Sequence, residues 1–350
     1  MNAAVLEKET SGEKARKRLP RLGFLGVGWI GRKRLEAITQ TGMAAVAAIA
    51  DPAPALLVEA AKSAPGAACL ASMEELLEED LDGVVIATPS ALHAQQAERA
   101  IRQGLPVFCQ KPLGRNTAEN RRVIEAAREM DVLLGVDLSY RFINEVRTVV
   151  DLARSGELGK VYAAEFIFHN AYGPDKAWFY DPKLSGGGCV IDLGIHLVDL
   201  ALWTLNFPRV QGSTSRLFAQ GEPLAERERQ VEDFAVARLD LETGAVVEVA
   251  CSWKVHSGCD AIISGTFYGT EGGAQFRNVN GSFVDFTAER FYGTRRETSS
   301  SCQGGWGGLA AVDWALRLGR SSKYNPEIES LIAVSETLDA IYTSGAANKK

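Results

Sequence analysis

Positive charge is what this sequence has little of. Its 350 residues carry 38 Lys and Arg against 44 Asp and Glu, a net charge of −6, with a pI near 5.5. That balance gives no electrostatic support for nucleic acid or an acidic membrane as a partner. The one basic stretch, KARKRLPR at 14–21, reads as part of a solvated chain end. No apolar run approaches the ~20 residues of a membrane span, and the first twenty residues lack the apolar centre of a secretory signal. Six cysteines (Cys69, Cys109, Cys189, Cys251, Cys259 and Cys302) contain no C-x-x-C pair. A zinc site or dithiol motif is therefore not indicated, and no metal is expected. Several of these thiols lie in apolar runs, where cysteine packs as a small hydrophobe. A reducing cytoplasm is the simplest setting. Neither an internal repeat nor a low-complexity linker divides the chain.

What is present is length and rhythm. A 37.8 kDa chain with 46% hydrophobic and 23% charged residues has room for a large core and two domains. RLGFLGVG (21–28), AAVAAIAD (44–51), DGVVIATP (82–89), PVFCQKP (106–112) and VLLGVDL (132–138) are short and apolar throughout, as strands covered on both faces are. Helical patterns at 29–40, 53–63, 72–79, 91–103 and 116–130 separate them. Strand and helix in alternation predict an α/β fold with a parallel, doubly wound dinucleotide-binding (Rossmann) sheet over 20–140, after a flexible tail at 1–19. From about 141 the period falls toward two. VVEVACSW (246–253), AIISGTFYGT (261–270), GGAQFRNV (272–279) and GSFVDFTAERFYG (281–293) predict a mostly antiparallel open sheet in an α+β domain over 141–350. Helices are expected at 144–156, 190–205, 307–319 and 325–344, the last packing back toward the first domain.

Gly26-Val27-Gly28-Trp29-Ile30-Gly31 falls at the first strand-to-helix junction, with the acidic Asp51 twenty positions past Gly31. Such a loop allows a tight turn at Gly26, approach of a pyrophosphate at Gly28 and close packing at Gly31, while the acid accepts from the ribose hydroxyls. Ligands of these sheets bind outside the carboxyl ends of the strands. Thr88, Pro89 and His93 lie at one such end, and Gln110, Lys111 and Pro112 at another. A lysine leaving the end of an apolar strand is poorly explained by packing. His93 is equally readable as a residue that packs on its own helix.

SGGGCVIDLGIHLVDLALW (185–203) runs three glycines into Asp192, His196 and Asp199. The i, i+4, i+7 spacing puts the three on one helix stripe, and the glycines let backbone approach a ligand or the other domain. Either this is a proton-transfer site or His196 is a core histidine satisfied by Asp192.

Taken together, these segments resemble the glucose–fructose oxidoreductase/inositol dehydrogenase/MocA family of nicotinamide-dependent sugar oxidoreductases, from about residue 20 to 345. GVGWIG is similar to its Rossmann turn, ATPSALHA to its T-P-x-x-x-H segment and QKPLGRN to its E-K-P segment. WFYDPKLSGGGCVIDLGIHLVD is similar to its W-R…GGG-x-x-x-D-x-G-x-H-x-x-D segment. The resemblance implies a cofactor site of Gly26, Gly28, Trp29, Ile30, Gly31, Asp51, Thr88, Pro89, His93, Gln110 and Lys111. It implies a catalytic set of Lys111, Asp192 and His196, in which the histidine exchanges the substrate's proton, the aspartate orients the substrate and the lysine contacts both substrate and cofactor. Gln110 stands where the family has glutamate and Phe179 where it has arginine, which puts cofactor affinity in question. Arg141, His169, Tyr172 and Trp178 are candidates for the substrate pocket.

The implied reaction is hydride transfer between nicotinamide and a secondary alcohol or ketone of a sugar, polyol or sugar derivative. Alternatives are a dinucleotide-binding regulator without turnover, and cleavage of a glycosidic bond through transient oxidation. NAD is expected over NADP, because Asp51 stands where the 2′-phosphate would lie and no basic residue follows in DPAPALL. A homodimer or homotetramer is expected, since helices cover only one face of an open sheet. In the strand at 245–253 that covered face is Ala245, Val247, Val249, Cys251 and Trp253.

Overall fold

RLGFL, apolar after its first residue, forms the central strand of the first sheet. The computed structural model describes residues 18–301 and 307–347. Nearly all of the expected tail, and Cys302, lie outside the described residues.

The first sheet is built in strict alternation. β1 (Arg21–Leu25) leads to α1 (Trp29–Thr41), and β2 (Ala45–Ala50) to α2 (Pro54–Ala61). β3 (Ala68–Leu70) leads to α3 (Met73–Leu76), and β4 (Gly83–Ile86) to α4 (Ser90–Arg102). β5 (Val107–Cys109), α5 (Thr117–Glu129) and β6 (Leu134–Val136) complete it. The strand order β3-β2-β1-β4-β5-β6, with every pairing parallel, is that of a dinucleotide-binding sheet whose switch point lies between β1 and β4. Leu22, Phe24, Ile49, Val84, Ile86 and Val107 are fully buried, which is why these strands read as unbroken apolar runs. β3 was not expected from the sequence. It is a three-residue edge strand, too short to show a pattern.

The second half opens with α6 (Asn144–Arg154), β7 (Val161–Asn170) and α7 (Pro182–Ser185). A π-helical turn (Val190–Gly194) runs into α8 (Ile195–Thr204). β8 (Val210–Ala219), β9 (Glu222–Pro223), β10 (Phe234–Leu241), β11 (Val246–Ser252), β12 (Ala261–Gly269), β13 (Gly273–Asn278), β14 (Phe286–Tyr292) and β15 (Arg295–Ser301) follow. They form one nine-stranded sheet, ordered β15-β14-β13-β12-β7-β11-β10-β8-β9. It is antiparallel except where β7 meets β11. Ala245, Val247, Val249, Cys251 and Trp253 are all buried, beneath a layer that includes α6, α8 and the last helix, α10 (Ser330–Ala347). The opposite face is open, with Val236 and Ile262 exposed.

Two findings depart from the sequence reading. Helix α9 (Leu309–Arg320), expected with the second unit, packs on the parallel sheet. Its apolar stripe of Ala310, Ala311, Trp314, Ala315 and Leu318 shares a core with Leu22, Phe24, Leu35 and Phe108. The stretch Pro182–Thr204 is apolar and long enough by composition to cross a membrane, yet 83% of that window is buried inside the protein. Its apolarity reflects burial on all sides of a core helix. α10 spans both units, since it lies on β8 while its Asp339 Oδ2 accepts the Thr117 N–H at the start of α5, at 3.1 Å.

Candidate active site

The loop after β1 is shaped by contacts only glycine permits. Gly26 sits at φ +82°, and a Cβ on Gly31 would stand 2.0 Å from the Gly26 carbonyl oxygen. Beside Gly28 the space is open. Gly28 caps α1 without a side-chain hydrogen bond, and the helix has no acid in its first turn. Uncapped first-turn N–H groups facing open space suit a pyrophosphate. Trp29 is exposed and Ile30 half-buried beside it. Asp51, buried just past β2, accepts the Val27 N–H at 3.0 Å and the Ala53 N–H at 2.9 Å. Its carboxylate thus ties the glycine loop to the end of β2.

The ends of β4 and β5 are braced against each other. His93 is buried on α4, with Nδ1 2.7 Å from the Pro112 carbonyl oxygen and Nε2 2.7 Å from that of Thr88. Burial lowers its pKa, opposed by its bonds to these two carbonyls. Both ring nitrogens face backbone, so His93 braces the two strand-end loops. Thr88 Oγ1 donates to Gln96 Oε1 at 2.6 Å, and Pro89 stands exposed ahead of α4. The Lys111–Pro112 peptide is cis. Gln110 also turns inward: Oε1 accepts the Lys111 N–H at 2.8 Å, and Nε2 donates to Asp137 Oδ2 at 3.0 Å. Both ends of its amide are thus engaged within the protein.

Lys111 crosses to the second unit. Its Nζ donates to Asp192 Oδ1 and to the Asp192 carbonyl oxygen, each at 2.6 Å. Trp253 Nε1 donates to Asp192 Oδ2 at 3.1 Å. Asp192 is therefore held by Lys111 and Trp253, and among the described residues no hydrogen bond joins it to His196. His196 is 6% exposed, its ring 4.8 Å from that of Tyr140. It has no hydrogen-bond partner among the described residues. Burial, followed by the charges of Lys111 and Arg34, holds its pKa well below the ordinary histidine value. Asp192 lies in a π-helical turn instead of the expected plain helix, a widening often found at functional sites.

Further along the stripe lies an ion pair. Asp199 pairs with Arg141, whose Nε lies 2.8 Å from Oδ2 and whose guanidinium sits 5.2 Å from the Trp203 ring. Arg141 is thereby held on α8 by Asp199. Gly186 lets the backbone approach the other unit as expected, since a Cβ there would stand 2.6 Å from Arg115 Cβ, and the next two glycines meet the second unit's own interior. A Cβ on Gly188 would stand 1.8 Å from the Glu232 carbonyl oxygen, and one on Gly187 2.0 Å from Tyr342 Oη. Glu232 Oε1 accepts from Gly188 N, Val190 N and Tyr342 Oη at 2.9, 3.0 and 2.8 Å. The segment is pressed against Glu232 and α10, which fixes the start of the π-turn. Burial pushes the Glu232 carboxyl up.

Of the remaining candidates, His169 pairs through Nδ1 with Ser252 Oγ at 2.8 Å and stacks on Phe234. It faces away from inward-facing Phe168, on the other side of the sheet from Trp253. Tyr172 is exposed, its hydroxyl donating to Asp260 Oδ1 at 2.6 Å. Neither is brought to Lys111. Trp178 stacks on Phe179 at 3.8 Å, and Phe179 and Tyr180 border Trp253 at 6.3 and 5.7 Å. This aromatic run thus reaches the site through Trp253. Sequence reasoning missed Trp253 as a donor, as well as Glu232, Tyr140, Arg34 and Asp137. The position of Asp137, an acid at the end of the apolar strand in VLLGVDL, was a signal of the kind that singled out Lys111.

A glycine loop at the switch point of a 3-2-1-4-5-6 sheet, with a strand-end lysine bonded to an aspartate beside an unpartnered histidine, defines a two-unit nicotinamide-dinucleotide oxidoreductase. The chain belongs to the GFO/IDH/MocA family. Residues 20–138 match its oxidoreductase, NAD-binding Rossmann-fold model, and residues 146–275 its C-terminal-domain model. It is 30% identical over 184 residues to the rhizopine catabolism protein MocA of Rhizobium meliloti, a match spanning 52% of this chain and 56% of that protein. It is 28% identical over 263 residues to a 1,5-anhydro-D-fructose reductase of Ensifer adhaerens, covering 74% and 76%. The crystal structure of GenD2 from gentamicin A biosynthesis, in complex with NAD, superposes with a TM-score of 0.77 at 25% identity, over 99% of this chain and 98% of that one.

Proposed function

We propose that the chain transfers a hydride between nicotinamide and a secondary alcohol or ketone of a sugar, polyol or sugar derivative, with Lys111, Asp192 and His196 as its catalytic residues. One observation carries this: Lys111 Nζ is anchored by two bonds to Asp192, while His196 stands nearby, neutral and unpartnered. An ammonium has three donors, so one remains for the reacting oxygen. In the oxidative direction His196 takes the hydroxyl proton as the C–H electron pair leaves with its hydrogen, and in reduction it returns the proton. The bound nicotinamide supplies the hydride acceptor or donor. Gly26, Gly28 and Gly31 with the start of α1 would hold the pyrophosphate, and Asp51 the ribose.

The reading includes a preference for NAD and a homo-oligomer closed through the open face of the nine-stranded sheet. Exposed Val236 and Ile262 on that face support the second point. A monomer mass by light scattering at micromolar concentration would refute it. The experiment for the reaction is absorbance near 340 nm on the purified protein with NAD or NADH and a panel of sugars, polyols and their ketones. Turnover of at least one is expected. Binding of NADH without turnover of any would leave only the regulator.

A further inference from the structure

We propose that Asp137 is a positioning residue of this site, the buried carboxylate that, through Gln110 and Arg34, fixes Lys111 relative to the helix behind the glycine loop. Asp137 is fully buried just beyond β6, and Arg34, on α1, is 2% exposed. Arg34 Nε donates to Asp137 Oδ2 at 2.5 Å, and Gln110 Nε2 donates to the same oxygen at 3.0 Å. The other end of that amide accepts the Lys111 main-chain N–H at 2.8 Å, and Lys111 reaches Asp192. One continuous polar chain thus runs from α1 through Asp137 and Gln110 to the lysine and the π-turn.

The chain accounts for the departure at position 110. A side chain of this length must accept from Lys111 at one end and donate to a carboxylate at the other, and an amide does both without taking up a proton. A glutamate there would set a second buried carboxylate against Asp137 Oδ2, and two such groups cannot both ionise. A buried negative charge thus stands behind Gln110, one hydrogen bond removed from the Lys111 main chain. Of the charged and titratable groups, Arg34 bonds Asp137 directly, and the Cys109 thiol is pushed up by burial and then by Asp137. Arg34 also helps to keep His196 neutral.

The inference rests on the proposed reaction, so its test is arranged to separate the two. Q110E, D137N and the double variant are compared with the wild type by melting temperature, by NADH affinity without substrate, and by kcat and KM on any sugar turned over. Q110E, although it restores the family's residue, is expected to lose about tenfold in kcat, with little change in sugar KM, and to bind NADH several-fold more weakly. D137N is expected to lose similarly. The double variant, again with one carboxylate and one amide, is expected to recover most of the loss, a coupling that independent sites do not produce. Wild-type kcat and NADH affinity in Q110E would overturn the proposal. So would a double variant no better than Q110E, or changes confined to the melting temperature. Should D137N not fold, Q110E decides alone. If the wild type turns over no sugar, the reaction is wrong, and the NADH affinities still decide the role of Asp137.

Discussion

The indole N–H of Trp253 donates to Asp192 Oδ2 at 3.1 Å, reaching from just beyond β11 to a carboxylate 61 residues earlier in the chain. Asp192 is thus held from two sides, by Trp253 and by Lys111. Trp253→Phe keeps a ring beside Phe179 and Tyr180 but removes the donor. A hydrogen bond to a charged group contributes ~1.5–3 kcal/mol, and losing its orienting effect should lower kcat by about tenfold. Steady-state kinetics beside a melting curve check this, since unchanged kcat would mean that the indole only packs.

Lys111 should be irreplaceable by its nearest relative. A single ammonium nitrogen serves both the carboxylate and the carbonyl of Asp192 at 2.6 Å. Arginine carries its charge on a wider planar fork and cannot reproduce a point contact. Lys111→Arg and Lys111→Met are both expected to lose kcat by about 10²-fold or more, within the range of a positioned proton-transfer group. Stopped-flow absorbance near 340 nm reads it, and an arginine variant within threefold of wild type would remove the lysine from the chemistry.

The parallel sheet was legible because its strands are buried on both faces. Phe24 and Val85 need no partner pattern to be recognised. Lys111 stood out for the opposite reason, a charge at the end of such a strand. The pairing of Lys111 with Asp192 was not legible, because it spans 81 residues and depends on how the two units meet. The bond between Arg141 and Asp199 was hidden for the same reason, since it is made only in the fold. The triple glycine was legible in part: Gly186 meets Arg115 of the first unit as expected, whereas the contacts of Gly187 and Gly188 with Tyr342 and Glu232 have no local pattern to announce them. Helix α9 was expected with the wrong unit because an amphipathic helix shows that it has a buried face but not which sheet receives it.

Cofactor choice should turn on Asp51. Its carboxylate is fixed by Val27 N and Ala53 N, so it cannot swing aside for a 2′-phosphate. NAD is expected to exceed NADP in kcat/KM by at least about tenfold, each tenfold being 1.4 kcal/mol. Asp51→Ala removes the repulsion but also loosens the glycine loop. Efficiency with NAD should therefore fall more than with NADP, and the ratio should narrow. Equal use of both cofactors by the wild type would sink this.

His196 gives the sharpest test, because its two readings predict opposite results. With its pKa held well below the ordinary histidine value by burial, Lys111 and Arg34, the ring is neutral and ready to accept a proton at pH 7. The oxidative rate should therefore show no acid limb from this group near the ordinary value of about 6.5, only one at lower pH. Stability runs with the same sign. Between the depressed folded value and about 6.5 the unfolded chain binds the proton and the folded one does not, so stability rises with pH there. The contribution is full above about 6.5 and is lost as the pH falls below it. His93 and His169, both lowered chiefly by burial, add to the same slope. His196→Ala should thus melt with a shallower decline between pH 7 and 5 than the wild type. If His196 exchanges the substrate's proton, the same variant should lose about 10²- to 10⁴-fold in kcat while binding NADH nearly as before. A variant with altered melting and full turnover would leave His196 as a packed ring and nothing more.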